Sequence, residues 1–412
     1  MSNFGDIGFK RGTSTDAFGL ARMSLPVTLF EYQNQYNKGT LIWSESVTGS
    51  GVATHVANSA SVTLSTGSGT DTHGVARQTF DYFRYHAGKS QFVKMTGTFG
   101  TGVTNVRKRM GYFDTNNGIY FEQTGTTLNF VIRTYTSGSP VNTTYAQSAW
   151  TLDTLGGGTL NPSGITLDIT KSFILVMDLQ WLGVGSIRFG FQINGKLYYC
   201  HEVHNSNLNA GVYMTTANLP IRYEIYNIGA VGGGASTMTQ ICANVISEGN
   251  MDDEIGYKHS VNNGTTAISI TTRRAILSIR PKATFNSITN RARILLDSFS
   301  ILNTGANQVL WEIVYNASLG GSPSWTSAGT NSTVEYDVAG TTITGGEVIS
   351  SGYMTSVGTG VNSNGGVSAT MNSKYPITLD ISGANPMSNS IVCTAITGTQ
   401  TCYGSINFFE FY

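Results

Sequence analysis

The most strongly patterned stretch of the chain runs from Lys171 to Cys200. A mostly apolar run, Phe173 to Leu179, leads to Trp181, and Gly183-Val184-Gly185 follows. Strict alternation then sets in, with Ile187, Phe189, Phe191 and Ile193 on one side and Ser186, Arg188, Gly190 and Gln192 on the other. A period of two is the signature of a strand with one face in a core. Asn194-Gly195 breaks the run before Leu197-Tyr198-Tyr199 resumes it. Asn-Gly between alternating segments is the strongest short hairpin signal, because both central positions of a type I′ turn need positive φ. The stretch therefore predicts the inner wall of a β-sandwich, with Trp181 as a core plug and Gly183 and Gly185 as the bend that lets the strand pass it.

Similar runs predict strands over 41–46, 51–55, 61–65, 91–99, 105–113, 119–123, 128–134, 165–169, 212–216, 221–226 and 241–248, with a longer loop from Ser137 to near Trp150. Turn signals recur every 8–12 residues or so, the spacing of sandwiches and barrels. Met251-Asp-Asp-Glu and Asn262-Asn-Gly break the pattern and predict a linker over 251–266. A second β unit follows, with strands over 274–280, 293–302, 309–315, 377–381, 390–396 and 404–412. Ile165 to Ile169 and Ile377 to Ile381 share the sequence Ile-Thr-Leu-Asp-Ile, an internal echo that favours two β domains over one large one. The expected fold is all-β: two β-sandwich domains of jelly-roll or lectin-like type, 41–250 and 267–412.

Residues 1–40 lack any period and carry scattered apolar anchors, Phe4, Phe9, Phe18, Leu20, Leu25, Leu29 and Phe30. Such a segment reads as an extended docking arm, because these anchors are too apolar to stay in water. It either straps its own domain or reaches a neighbouring subunit, with a short helix possible over 29–36.

Composition sharpens this. Charged residues are only 12% of the 412-residue chain, about half the usual share. Acids and bases balance at 24 each, so no nucleic-acid partner is expected. No apolar run of membrane-spanning length occurs, and no apolar segment follows Met1, so neither a membrane span nor a signal peptide is expected. The cysteines, Cys200, Cys242, Cys393 and Cys402, form no CxxC pair and read as buried free thiols. Cys393 and Cys402 are also placed to face each other across a hairpin around Gly398, where a bridge would need an oxidising setting.

Candidate chemistry is sparse. His201 and His204 stand three apart after a strand, where alternation sends them to opposite faces, so no metal site is expected. Asp114, Asn116 and Asn117, or Asp252, Asp253 and Glu254, offer oxygens for calcium but lack the spacing of a known loop. Asp114, Glu122, Asp168, Asp178 and Glu202 are the candidates for a glycosidase pair, which needs two carboxylates flanking one bond. None pairs with another by context. Arg107-Lys108-Arg109 reads as surface or inter-subunit pairing with Asp or Glu, with Lys108 on the face opposite its neighbours. No catalytic, metal or cofactor residue is therefore expected, and the chain is not expected to be an enzyme.

Four segments carry a resemblance. They are Thr15 to Phe30 (TDAFGLARMSLPVTLF), Arg77 to Gln91 (RQTFDYFRYHAGKSQ), Val106 to Glu122 (VRKRMGYFDTNNGIYFE) and Trp181 to Phe191 (WLGVGSIRFGF). Together they span roughly Asp16 to Glu248, and this part of the chain resembles a family of tailed-bacteriophage virion structural proteins. That resemblance implies a non-enzymatic component of a phage particle, tail- or fibre-associated (an adaptor or baseplate protein), with a head fibre or capsid decoration protein as the alternative. It implies assembly in the host cytoplasm into the virion, with tail, portal-vertex or capsid proteins as partners, and because most oligomers adopt closed symmetry a homotrimer or ring is expected. Residues 170–204 also resemble lectin and laminin-G sandwiches. This second resemblance implies contact with a host surface glycan, though no sugar-clamping residue carries over.

Overall fold

The computed structural model describes residues 25–68, 72–231, 235–249, 256–355, 366–371 and 375–412. Phe4, Phe9, Phe18 and Leu20 lie outside them, as do Asp252, Asp253 and Glu254.

The described chain is all-β, and its first part is a sandwich of two antiparallel sheets. In chain order its strands are β1 (Pro26–Gln33), β2 (Trp43–Thr48), β3 (Val52–Val56), β4 (Ser61–Ser65), β5 (Gly74–Thr79), β6 (Ser90–Thr98), β7 (Val106–Phe113) and β8 (Gly118–Thr124). There follow β9 (Thr127–Thr134), β10 (Val141–Ala146), β11 (Phe173–Leu179), β12 (Ile187–Ile193), β13 (Lys196–Val203), β14 (Ile221–Asn227) and β15 (Thr237–Glu248). One sheet runs β13-β12-β11-β6-β15-β4-β3, with β1 also on β15. The other, of seven strands, runs β10-β9-β8-β7-β14-β5-β2.

Alternation along each strand sends one set of side chains between the sheets. Phe121 and Phe130 of the seven-stranded sheet meet Phe189 and Phe191 of the other, and Trp150 stacks on Phe130 with centroids 4.2 Å apart. Trp181 packs on this core edge-on to Tyr85. The Asn-Gly hairpin is present: Ile193 pairs with Lys196, and Asn194 and Gly195 take φ of 51° and 76°, a pair of left-handed positions.

Several local expectations are corrected. Residues 29–36 form no helix; Leu29 and Phe30 lie in strand β1, packed on the first core, and Leu25 is exposed. The reason is tertiary. β15 is 12 residues long, and β4 covers only Thr237 to Gln240, so its edge from Cys242 to Glu248 stays open for β1. The loop after Ser137 contains strand β10, paired along β9. Residues 165–169 and 212–216 form no strand, and 377–381 is reduced to isolated bridges.

The second part is again two packed sheets. One holds Tyr257–Asn262, Ile268–Ile270, Arg293–Asn303, Gly366–Thr370 and Gln400–Phe411; the other centres on Arg274–Pro281, Val309–Tyr315 and Asn389–Ala395. The stretch expected as linker thus contains a strand, Tyr257–Asn262, paired with Gln400–Phe411. All four cysteines are free thiols. Cys393 and Cys402 are buried on strands of different sheets, not across one hairpin, and the thiol of Cys402 together with burial pushes the Cys393 thiol up. The two sandwiches touch. Arg293 pairs with Asp81 at 3.2 Å, the Ile381 N–H donates to Ser44 Oγ at 3.0 Å, and Arg291 lies 4.8 Å over the ring of Tyr82.

Candidate functional site

The seven-stranded sheet turns its other face outward, and there the polar positions gather. β7 lies between β14 and β8, and the register sets Arg109 opposite Glu224 on one side and Glu122 on the other. Glu122 in turn stands opposite Asn129 of β9. The next row carries Gln78, Arg222, Gly111 and Tyr120 across four strands. Gly111 is required there, since a Cβ would come within 2.4 Å of the Tyr120 Cβ. The rows to either side bring Arg107 beside Tyr226, and Arg133 beside Asn142.

Arg109 bridges the two glutamates: its Nε donates to Glu122 Oε2 at 2.6 Å and its Nη1 to Glu224 Oε1 at 3.0 Å. Arg222 holds the other Glu224 oxygen, with Nε at 2.8 Å and Nη2 at 2.7 Å from Oε2. Both glutamates share one small guanidinium, so their nearest oxygens lie no more than about 8 Å apart, which does not exceed the roughly 9.5 Å at which paired carboxylates still work on a glycosidic bond. The aromatic floor steadies the arginines. Arg109 and Arg133 lie 4.9 and 5.1 Å from the Tyr120 ring centre, and Arg222 lies 5.5 Å from that of Phe113. Arg133 also donates to Tyr120 Oη, Asn142 Oδ1 and the Asp114 carbonyl.

Arg109, Glu122, Arg222 and Glu224 are all buried, an expensive arrangement unless each charge is paired. Burial pushes the Glu224 carboxyl up, but Arg222, then Arg109, Arg133 and Arg107, outweigh it and hold the group at about 2. Glu224 is thus ionised over the whole physiological range. Burial, and next the like charge of Arg109, lower the Arg107 guanidinium from its ordinary value. A cleft of about 340 Å³ opens over these groups, lined by Arg107, Arg109, Arg133, Arg222, Glu224 and Tyr226 together with Thr115, Pro140 and Asn142. Arg107 and Tyr226 also line an adjoining hollow that reaches Thr48 and Thr72, so the two form one groove along β7 and β14. A chain of contacts ties the groove to the second sandwich: Arg222 donates to Gln78 at 3.2 Å, Gln78 to Tyr82 Oη at 3.2 Å, and Arg291 covers Tyr82.

The structure sorts the residues singled out from sequence. Glu122 is in the site, and its partner Glu224 had not been singled out. Arg109 does pair with carboxylates, but within its own sheet. Lys108 is corrected: it points into the sandwich, buried, and donates to the carbonyls of Phe99 and Thr101, not to an acid. Burial brings its ammonium down to about 8. Asp114 caps its turn by accepting the N–H groups of Asn116 and Asn117 at 2.7 and 2.8 Å. Asp168 is exposed and bound to Thr170, Asp178 pairs with Arg188 on the other sheet, and Glu202 approaches His204. His201 is buried against Thr151. No group of three or more His, Cys, Asp or Glu able to hold a metal occurs among the described residues, nor does any helix there have the length and apolarity to cross a membrane.

No protein-family model matches the chain, and no curated protein matches it. Solved structures do. A Bacillus licheniformis β-glucanase is 11% identical, with 56% of this chain and 99% of that one covered and a TM-score of 0.32. An endo-β-1,3-glucanase from Pyrococcus furiosus gives 11%, 55%, 97% and 0.39. A glycosyl hydrolase family protein from Mycobacterium fortuitum gives 12%, 53%, 99% and 0.37. At this level the likeness is one of broad architecture and carries no activity over. The expectation of a non-enzymatic virion component, of tail, fibre or capsid, is nevertheless corrected: these solved structures are two glucanases and a glycosyl hydrolase family protein. The expectation that the chain is no enzyme falls with it. It rested on finding no paired carboxylates, and folding brings Glu122 and Glu224 to one guanidinium.

Proposed function

We propose that the first sandwich acts on glycans, and that the groove over β7 and β14 cleaves a glycosidic bond with Glu122 and Glu224. The observation that carries this reading is the carboxylate pair itself, two buried glutamates on one sheet face, joined by Arg109 beneath an open groove. Glycoside hydrolysis needs one carboxylate that stays ionised beside the forming oxocarbenium ion and one carboxyl that passes a proton to the leaving oxygen. Glu224, held at about 2 and lining the groove, suits the first task. Tyr226 supplies aromatic surface in the groove, and Tyr120 lies buried beneath Arg109.

The test is release of reducing ends from a panel of soluble polysaccharides by the full chain. Activity is expected from the native protein. Glu224→Gln and Glu122→Gln should each lower kcat by 10²-fold or more, with folding checked by circular dichroism. No release from any polysaccharide, or full activity in both variants, overturns the proposal.

A further inference from the structure

The groove holds more positive charge than its own carboxylates neutralise. Arg107, Arg109, Arg133 and Arg222 face Glu122 and Glu224, and the carboxylate of Asp114 at the turn end still leaves one cation in excess. Three of the four arginines are spoken for. Arg109 and Arg222 hold the glutamates, and Arg133 is fixed by Tyr120, Asn142 and the Asp114 carbonyl. Arg107 differs. Its Nε is buried with no hydrogen-bond partner among the described residues, and the residue stands where the two hollows of the groove meet. Its neighbours are Arg109 on its own strand, Tyr226 on β14 and Thr124 on β8, with the carboxylates of Glu224 and Glu122 near enough to act on its charge, and none of them accepts the Nε–H.

A buried guanidinium N–H without an acceptor is costly even where the rest of the group is open to the groove, and a planar fork of N–H donors fits an oxyanion in two-point fashion. We infer that the glycan taken by this groove is anionic, and that Arg107 receives a saccharide carboxylate or sulfate. This rests on the reading of the groove as a glycan site. The lowering of the Arg107 guanidinium by burial and by Arg109 agrees with it, since an anion would relieve both. The chain carries 24 basic and 24 acidic residues, so no overall field would draw polyanions to its surface at large.

The experiment is affinity electrophoresis of the full chain through gels holding dextran, dextran sulfate, polygalacturonate or a neutral β-glucan, with reducing ends assayed on the same polymers. Retardation is expected from the sulfated or the uronate polymer and not from dextran, and which of the two retards identifies the anionic group. Arg107→Gln should weaken that retardation about tenfold without altering Tm. Arg188→Gln, which removes a half-exposed guanidinium from the other sheet, should leave it unchanged. Equal retardation by neutral and charged polymers, or equal loss in both variants, overturns the inference. The two proposals fail separately. Cleavage of a neutral glucan with no preference for charge sinks the anion inference alone, whereas Arg107-dependent binding of a polyanion with no reducing ends released sinks hydrolysis alone.

Discussion

Each sandwich buries a glutamate, and the two are held by different chemistry. In the second, Glu410 on the strand Gln400–Phe411 is fully buried. It accepts from Ser332 Oγ, from the Thr333 N–H at 2.7 Å and from Thr333 Oγ1 at 2.7 Å. Its hydrogen-bond donors are neutral groups of one short segment, with His259 Nε2 from the neighbouring strand 3.9 Å from Oε1, so the carboxylate works as a staple that pins 332–333 to the sheet. Glu224 instead meets arginines from its own strand and from the neighbouring one, at the floor of a groove. Neutral donors spend a carboxylate on fixing backbone. Paired arginines keep it charged and leave it facing whatever enters. Burial alone therefore does not mark a functional acid; the identity and origin of its partners do.

Three experiments would break or sharpen that contrast. The largest effect is expected from Glu224→Ala. It leaves Arg109 and Arg222 facing one remaining carboxylate, and breaking such a buried network costs about 3–5 kcal/mol, readable as a fall in the urea midpoint. A loss below about 1 kcal/mol would mean that water screens the groove well and the network is slack.

Next is the acid limb of stability. The folded value of Glu224 is depressed to about 2 from an ordinary 4.5, so its contribution is fully present above 4.5 and is lost as pH falls towards 2. The shift corresponds to about 3 kcal/mol. Urea midpoints of native and Glu224→Gln protein between pH 5 and 2 should converge as the pH drops, and parallel curves would refute the depressed value. The smallest effect is expected from Glu410→Gln, which keeps the shape and loses charge-assisted bonds, for about 1.5–3 kcal/mol. Its glycan turnover should match that of the native protein; a loss of turnover would show that the staple and the groove are coupled.

The comparison also explains what the sequence disclosed. Strand β4 and the hairpin between β12 and β13 were legible because their signals are local: alternation, and Asn-Gly for two left-handed positions. Glu122 was visible as a carboxylate on a strand, and alternation already put Arg107 and Arg109 on one face. Glu224 was not recognised, although 221–226 was read as a strand. Its neighbour Arg109 lies more than a hundred residues earlier, and nothing in either segment says that they pair. A signal was available in hindsight: Arg222, Glu224 and Tyr226 alternate with Ile221, Tyr223 and Ile225, an outward face too rich in charge for plain solvent exposure. Lys108 failed for the complementary reason. Its inward position followed from alternation, but a buried lysine satisfied by two loop carbonyls depends on the course of 99–101 over the sheet edge.

The sequence by itself determined that the chain is all-β, where most of its strands run and which residues of each share a face, because these follow from the two-residue period and from turn chemistry within a few residues. Only the tertiary structure decided that β14 inserts between β7 and β5, that β1 lies along β15, and that Glu122, Arg109 and Glu224 form one row. Strand order is set by how two whole sheets close over a common core, a sum of many long-range contacts with no local code. The groove exists only after that order is fixed.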